Sequence, residues 1–127
     1  MKIVLLADNF PSPGRPKFVF VQQLVFALAD LGHEVSVIAS QSISHALVHK
    51  EKLLPRKNIS YTNKGNSFTV YRTYSISFGN GNKNLYKFAH AFNHKELYKV
   101  LNKLSPDVLY GHFWHAAYKM IYYAELK

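Results

Sequence analysis

The sequence predicts an α/β fold built on a doubly wound parallel sheet. Three observations support this prediction. Residues 2–40 follow a strand–loop–helix–strand order, residues 68–110 repeat that order, and the first strand is an unbroken apolar run. Such runs are typical of parallel strands that are covered on both faces. Strands that alternate with helices are joined by right-handed crossovers, which keep the strands parallel.

The first strand covers residues 3–7, and the loop after it is the first segment in which function is expected. Pro11, Pro13 and Gly14 interrupt any regular pattern in this loop. Ligands of open parallel sheets bind beyond the carboxyl ends of the strands. The loop over residues 8–15 lies at such an end.

The first helix is predicted to begin near Pro16, because proline is tolerated in a first helical turn. Its apolar side chains recur at helical spacing, at Phe18, Val21, Leu24, Val25, Leu28 and Leu31. Gly32 follows the last of them, where a left-handed cap is favoured. Residues 34–39 then form a second strand rich in β-branched side chains.

The middle of the chain has a less regular pattern. A helix is predicted over residues 44–54 and is stopped by Pro55. Residues 55–66 are polar and are predicted to form a surface loop. A strand follows near residues 68–73, and a glycine-containing turn covers residues 78–82.

The longest helical pattern covers residues 85–104 and ends before Pro106. A short strand follows at residues 107–110, and residues 116–126 are predicted to form another helix. Because the strand–helix–strand pattern occurs at both ends of the chain, we expect the strand order 3-2-1-4. This is a Rossmann-like arrangement with the first strand between the second and the last.

The chain has 127 residues, no cysteine and a formal net charge of +9 at pH 7. This length suits one domain, and the lack of cysteine excludes disulfides and thiolate metal sites and fits a reducing compartment. The basic charge favours anionic partners, although its spread along the chain argues against specific nucleic-acid binding. A solvated basic surface without a partner is the alternative. No apolar run approaches the roughly 20 residues of a membrane span.

Two loops border the crevice that is expected where the crossover direction reverses, between the first and last strands. The loop before the first helix offers close backbone approach and a positive charge to a phosphate, through Pro13, Gly14 and Arg15. The loop after the last strand offers imidazole and aromatic faces to a sugar ring or lipid head, through His112, Phe113, Trp114 and His115. Core packing is the alternative for one of the two aromatic residues.

Three histidine pairs have spacings that place both imidazoles on one helix face, at His45 and His49, His90 and His94, and His112 and His115. None has a carboxylate placed as in the His-Glu-x-x-His motif. Ordinary surface or half-buried histidines are therefore the favoured interpretation, and we expect no metal and no cofactor. The sequence also contains no complete catalytic set.

The motifs of three segments carry a resemblance to a known family. Residues 2–13 form a strand and loop, residues 14–35 form a helix that ends in a Gly-His-Glu-Val turn, and residues 105–117 contain Pro-Asp-Val followed by His112 and Phe113. These segments resemble the N-terminal domain of group 1, family-4-like GT-B glycosyltransferases. Residues 70–72 are also similar to a strand of that family.

The resemblance implies the acceptor-binding half of a hexosyltransferase of polysaccharide biosynthesis. That enzyme moves a sugar from a nucleotide-sugar donor to a glycan or lipid-linked acceptor. By resemblance, Gly14 approaches the donor diphosphate and His112 lines the acceptor side. Arg15 departs from the family pattern, which often has a second glycine there.

The same resemblance implies that residues 1–127 are a single truncated domain without the C-terminal nucleotide-sugar domain. We expect such a fragment to be inactive by itself and open to self-association. The expected location is the cytoplasm, with peripheral contact at the anionic inner face of a membrane. Two alternatives are a stand-alone Rossmann-like module that binds a nucleotide or another anion, and a basic adaptor on nucleic acid or an anionic membrane.

Overall fold

The computed structural model describes residues 1–7, 19–50, 53–76 and 83–111. Within these ranges the chain forms five strands and three helices. In chain order they are β1 (Lys2–Ala7), α1 (Val19–Asp30), β2 (Glu34–Ser42), α2 (Ile43–His49), β3 (Lys57–Tyr61), β4 (Ser67–Ser75), α3 (Lys83–Leu104) and β5 (Val108–Gly111). The predicted loop 8–15, turn 78–82 and helix 116–126 all lie outside the described residues.

The strands form one mixed, mostly parallel sheet in the order β3-β4-β2-β1-β5. The pairs β4–β2, β2–β1 and β1–β5 are parallel, and only β3 runs antiparallel to its neighbour β4. The architecture is α/β and compatible with a Rossmann-like fold. The order differs from the predicted 3-2-1-4, because a fifth strand lies at the edge of the sheet beside β4.

The prediction of a surface loop over residues 55–66 was wrong, since β3 lies within it. All but one of the five residues of β3 are exposed. An edge strand has hydrogen bonds on one side only and here has little apolar burial on either face, so its sequence lacks the alternation that marks a half-buried strand. Asn58 and Ser60 in β3, between Pro55 and Gly65, gave it the composition of a loop.

One face of the sheet packs against α1. Side chains of β1, β2 and β4 that alternate along their strands meet the buried side of this helix. The buried members of this core are Ile3, Leu5, Ala7, Val21, Val25, Ala29, Val35, Val37, Ala39, Phe68 and Val70. The rings of Phe26 and Phe68 lie 5.6 Å apart between centroids and close the core beside β4.

The opposite face packs against α3. The intervening side chains of β1 and β2 form this second core with Leu97 and Leu101 of the helix. Leu101 is fully buried, and Ile38 on the sheet exposes only 1% of its surface. The two helices therefore cover both faces of the central strands, which explains why β1 is apolar from Ile3 to Ala7.

The end of α1 confirms the role predicted for Gly32. Gly32 has φ +94°. Its N–H donates to the Ala29 carbonyl at 3.0 Å, and the His33 N–H donates to the Leu28 carbonyl at 3.3 Å. This pair of bonds is the Schellman arrangement, which requires a left-handed residue where glycine stands.

Helix α2 ends at His49, earlier than the predicted end at residue 54. Lys50 takes φ +52° and stops the helix there. The Gln41 side chain fixes the chain that follows: its Nε2 donates to the Leu54 carbonyl at 2.8 Å and its Oε1 accepts from the Leu54 N–H at 2.9 Å. These bonds hold Leu54 beside the end of β2 instead of in a helix.

Backbone bonds align the amino ends of the parallel strands. The Glu34 N–H donates to the Met1 carbonyl at 3.1 Å, and the Asp107 N–H donates to the Lys2 carbonyl at 2.9 Å. The Asp107 carboxylate in turn accepts from the Lys2 N–H at 2.8 Å. The start of β1 is thereby tied to both of its neighbours.

Among the described residues, no helix is both long and apolar enough to cross a lipid bilayer.

Candidate functional site

The seven residues predicted to bind ligands, Pro13, Gly14, Arg15, His112, Phe113, Trp114 and His115, lie outside the described residues. The strands that lead to them are described. Leu6, one residue before the end of β1, pairs with Gly111, the last residue of β5. The carboxyl ends of β1 and β5 therefore lie side by side at one edge of the sheet.

A cleft of about 320 Å³ lies at this carboxyl edge, between the ends of β1, β2 and β4 and the inner side of α3. Its floor is the end of the α3-side core, with Leu6, Ile38 and Leu97 among its lining residues. The cleft is thus where an open parallel sheet binds its ligands. It shares β1 with the predicted site, but β2 and β4 were not part of that site.

Four hydroxyl-bearing residues line the cleft in two adjacent rows. Ser40 pairs with Thr73, and Ser42 pairs with Ser75, across the parallel strands β2 and β4. Since side chains two residues apart point to the same side of a strand, all four lie on the face that α3 covers. The two strands therefore place four hydroxyl groups together above an apolar floor.

Thr73 is the most buried of these residues, with 5% of its surface exposed. In the part of the chain that the structure describes, its hydroxyl has no hydrogen-bond partner. A buried hydroxyl without a partner costs about 1–3 kcal/mol. It therefore marks a position where a bound molecule or a water would form a missing bond.

His90 and His94 contribute to the helix side of the cleft. They are one helical turn apart, and their ring centroids are 4.0 Å from each other. The Nδ1 atom of His94 lies 3.0 Å from the Tyr98 hydroxyl, which orients this imidazole. Both histidines also line a second groove along α3, together with Lys95 and Lys99.

The His90 and His94 pair is the one predicted metal pair whose two side chains are described. Within the described ranges, no group of three or more histidine, aspartate, glutamate or cysteine side chains is placed to hold a metal ion. Two imidazoles alone do not complete a tetrahedral metal site. The geometry of this pair suits hydrogen bonding to a ligand better than metal coordination.

Asn93 also lines the cleft, but both ends of its amide bond the backbone of Ile76. At the rim, the Arg56 guanidinium bonds the Glu96 carboxylate and lies 4.6 Å from the centre of the Tyr74 ring. The described lining contains no carboxylate. The other polar side chains of the lining carry mostly hydroxyls and imidazoles, groups that can form hydrogen bonds with a ligand but do not by themselves constitute a catalytic set.

The hydroxyl rows were missed in the sequence, although a signal for them exists. Ser40 and Ser42 on one strand and Thr73 and Ser75 on another have the two-residue spacing of a common face. Their convergence depends on β2 and β4 being neighbours in this register, which spacing within one strand does not reveal. The spacing of His90 and His94 did single out the imidazoles of the same cleft.

No protein-family model, no curated protein and no solved structure matches this chain.

Proposed function

We propose that the chain is the acceptor-binding half of a glycosyltransferase that moves a sugar from a nucleotide-sugar donor to a glycan or lipid-linked acceptor. The observation that carries the proposal is the pairing of Leu6 with Gly111, which brings the roots of both predicted binding loops to one edge of the sheet. A ligand between those loops would lie at the point where the crossover direction reverses.

The described parts of the resemblance support a shared fold. The Gly-His-Glu-Val turn, residues 32–35, ends α1 and starts β2, while Pro106 and Asp107 lead into β5. Both motifs lie at the amino ends of the strands and align β1 with its neighbours. They therefore support the arrangement of the sheet, while the binding roles rest on the loops at the opposite end.

In this proposal Gly14 allows the donor diphosphate to approach the backbone, with Pro13 and Arg15 beside it. His112 bonds an acceptor hydroxyl, and neighbouring Phe113, Trp114 and His115 complete the acceptor side. The proposed setting is the cytoplasm, with peripheral contact to an anionic membrane. A second domain would hold most of the nucleotide, since transfer requires donor and acceptor to be held together.

Sugar transfer is tested with the full gene product, using labelled nucleotide-sugars and lipid or glycan acceptor extracts. Replacing His112 by Ala should lower transfer at least about tenfold, the effect of one hydrogen bond made in the transition state, and leave the Tm nearly unchanged. The control is His33→Ala, at the α1–β2 turn on the opposite edge of the sheet. If the full gene product transfers no sugar, or His112→Ala keeps full turnover, the proposal is wrong.

The hydroxyl and imidazole lining of the described cleft favours a second candidate function, a Rossmann-like module that binds a nucleotide or another anion. This candidate predicts that residues 1–127 bind nucleotides without any sugar acceptor. Calorimetric titration with nucleoside diphosphates and with acceptor glycans distinguishes the two. Binding of the glycans favours the transferase half, and binding of the nucleotides alone favours the module.

A further inference from the structure

We propose that the cleft between β2, β4 and α3 binds the phosphate group of a phosphate monoester. This site is separate from the residues assigned to donor and acceptor above and does not depend on sugar transfer, but it deepens the second candidate function, which uses the same cleft for an anion. Its proposed central contact is the buried Thr73 hydroxyl, with Ser40 and Ser75 beside it and His90 across the cleft.

The first argument is the group of hydroxyl donors that have no acceptor among the described residues. Ser40, Thr73 and Ser75 each offer an O–H, and no hydrogen bond occupies these three side chains in the described part of the chain. The strongest neutral acceptor in the lining, the Asn93 amide oxygen, already accepts from the Ile76 N–H. Each of these O–H groups can rotate to donate to a phosphate oxygen, so one phosphate group can accept from all three.

The second argument is electrostatic. The described lining has no aspartate or glutamate, and the Glu96 carboxylate at the rim is paired with the Arg56 guanidinium. His90 and His94 connect the cleft to the groove that Lys95 and Lys99 line, and both lysines are exposed. An imidazole donates a hydrogen bond in either protonation state. The chain carries a formal net charge of +9, which raises the local concentration of anions.

The third argument is the fixed shape of the cleft. The β2–β4 register keeps Ser40 beside Thr73, and strand side chains have little freedom to separate. On the helix side, the bonds between Asn93 and Ile76 hold α3 to the end of β4. Donors held in place before binding lose little entropy when a ligand arrives, which favours binding.

Phosphate binding is tested by calorimetric titration of the 127-residue chain with inorganic phosphate, glycerol 3-phosphate and glycerol. We expect both phosphates to bind and glycerol not to bind. Replacing Thr73 by Val keeps the side-chain shape and removes the hydroxyl, so phosphate affinity should fall about tenfold or more, as for a hydrogen bond to a charged group. Thr69→Val, on the same face of β4 outside the lining, should leave affinity unchanged.

Two further variants keep the test decisive if Thr73→Val perturbs folding. Ser40→Ala and His90→Gln should each weaken phosphate binding, while His33→Gln should not. Vesicles that contain phosphatidic acid, whose headgroup is also a monoester, distinguish a lipid source from a soluble one. The inference is overturned if glycerol binds as well as glycerol 3-phosphate, or if folded Thr73→Val and Ser40→Ala bind phosphate like the wild type.

Discussion

The side-chain amide of Asn93 bonds both backbone groups of Ile76. Its Nδ2 donates to the Ile76 carbonyl at 3.1 Å, and its Oδ1 accepts from the Ile76 N–H at 2.9 Å. The pair joins the middle of α3 to the residue that follows β4. Both residues line the cleft. Their connection therefore sets the distance between α3 on one side of the cleft and the end of β4 on the other.

Replacing Asn93 by Ala should lower the free energy of unfolding by about 2–3 kcal/mol, because two partly buried backbone groups lose their partners. Urea unfolding measures this loss. Lys95→Ala, at an exposed position of the same helix, is the control and should change stability by less than about 0.5 kcal/mol. Equal effects of the two substitutions would contradict the role assigned to Asn93.

Replacing Leu101 by Ala should destabilise the protein by about 2–5 kcal/mol, because it opens a cavity in the core between α3 and the sheet. Leu47→Ala is the matched control: 76% of the surface of Leu47 is exposed, so its loss should cost less than about 0.5 kcal/mol. Thermal or urea unfolding of both variants measures the difference. Similar stabilities would show that α3 does not pack on the sheet as described.

Gly32 and Lys50 provide opposite tests of backbone strain. Both have positive φ, and no atom within 4 Å would meet a methyl group at Gly32. Gly32→Ala should therefore cost about 1–2 kcal/mol from conformation alone. Lys50→Gly should stabilise the protein by up to about 1 kcal/mol, because glycine takes this conformation without strain. If both substitutions change the free energy of unfolding in the same direction, the positive φ angles described for Gly32 and Lys50 are contradicted.

Asp30 should make stability depend on pH in acid. A hydrogen bond from the Asn66 side chain is the largest influence on the Asp30 carboxyl and lowers its pKa from the ordinary value. A second hydrogen bond, from Thr62, lowers this pKa further. Because the folded-state pKa lies below the unfolded one, the stabilisation is present above the unfolded pKa of about 3.9 and is lost as pH falls through the folded pKa.

The measurement for Asp30 compares wild type with Asp30→Asn in urea at pH values from 7 down to about 2. We expect wild type to lose stability relative to the variant below about pH 4, since only the wild type must take up a proton at this site. If the free energies of unfolding of the two proteins change in parallel from pH 7 to about pH 2, the hydrogen bonds to Asp30 are not a source of acid sensitivity.

The elements that were predictable from the sequence are those whose signal is local. The apolar run of β1, the stripe of α3 and Gly32 after α1 all express constraints within a few residues of one another. Errors came where distant contacts decide the outcome. Residues 57–61 form a strand because β4 is available beside them. Helix α2 ends early because Lys50 has a positive φ and because Gln41 holds Leu54 beside the end of β2.

The candidate cleft was less predictable for the same reason. Imidazole spacing on α3 is visible in one segment, so His90 and His94 were singled out. Thr73 and Ser40 are 33 residues apart in the sequence and become neighbours only through the β2–β4 register. The two-residue spacing of hydroxyl side chains is visible within each strand, but it does not reveal which strand lies beside it.

The central place of β1 has a consequence for how the protein is made. Its residue Leu6 pairs with Ile38 on one side and with Gly111 on the other. During synthesis the first of these pairings can form early, whereas the second must wait until residue 111 has left the ribosome. Contacts between such distant residues slow folding, since a long loop must close before they form. Until β5 arrives, the emerging chain presents one side of its most apolar strand as a sheet edge, the kind of surface on which chaperones and neighbouring nascent chains act.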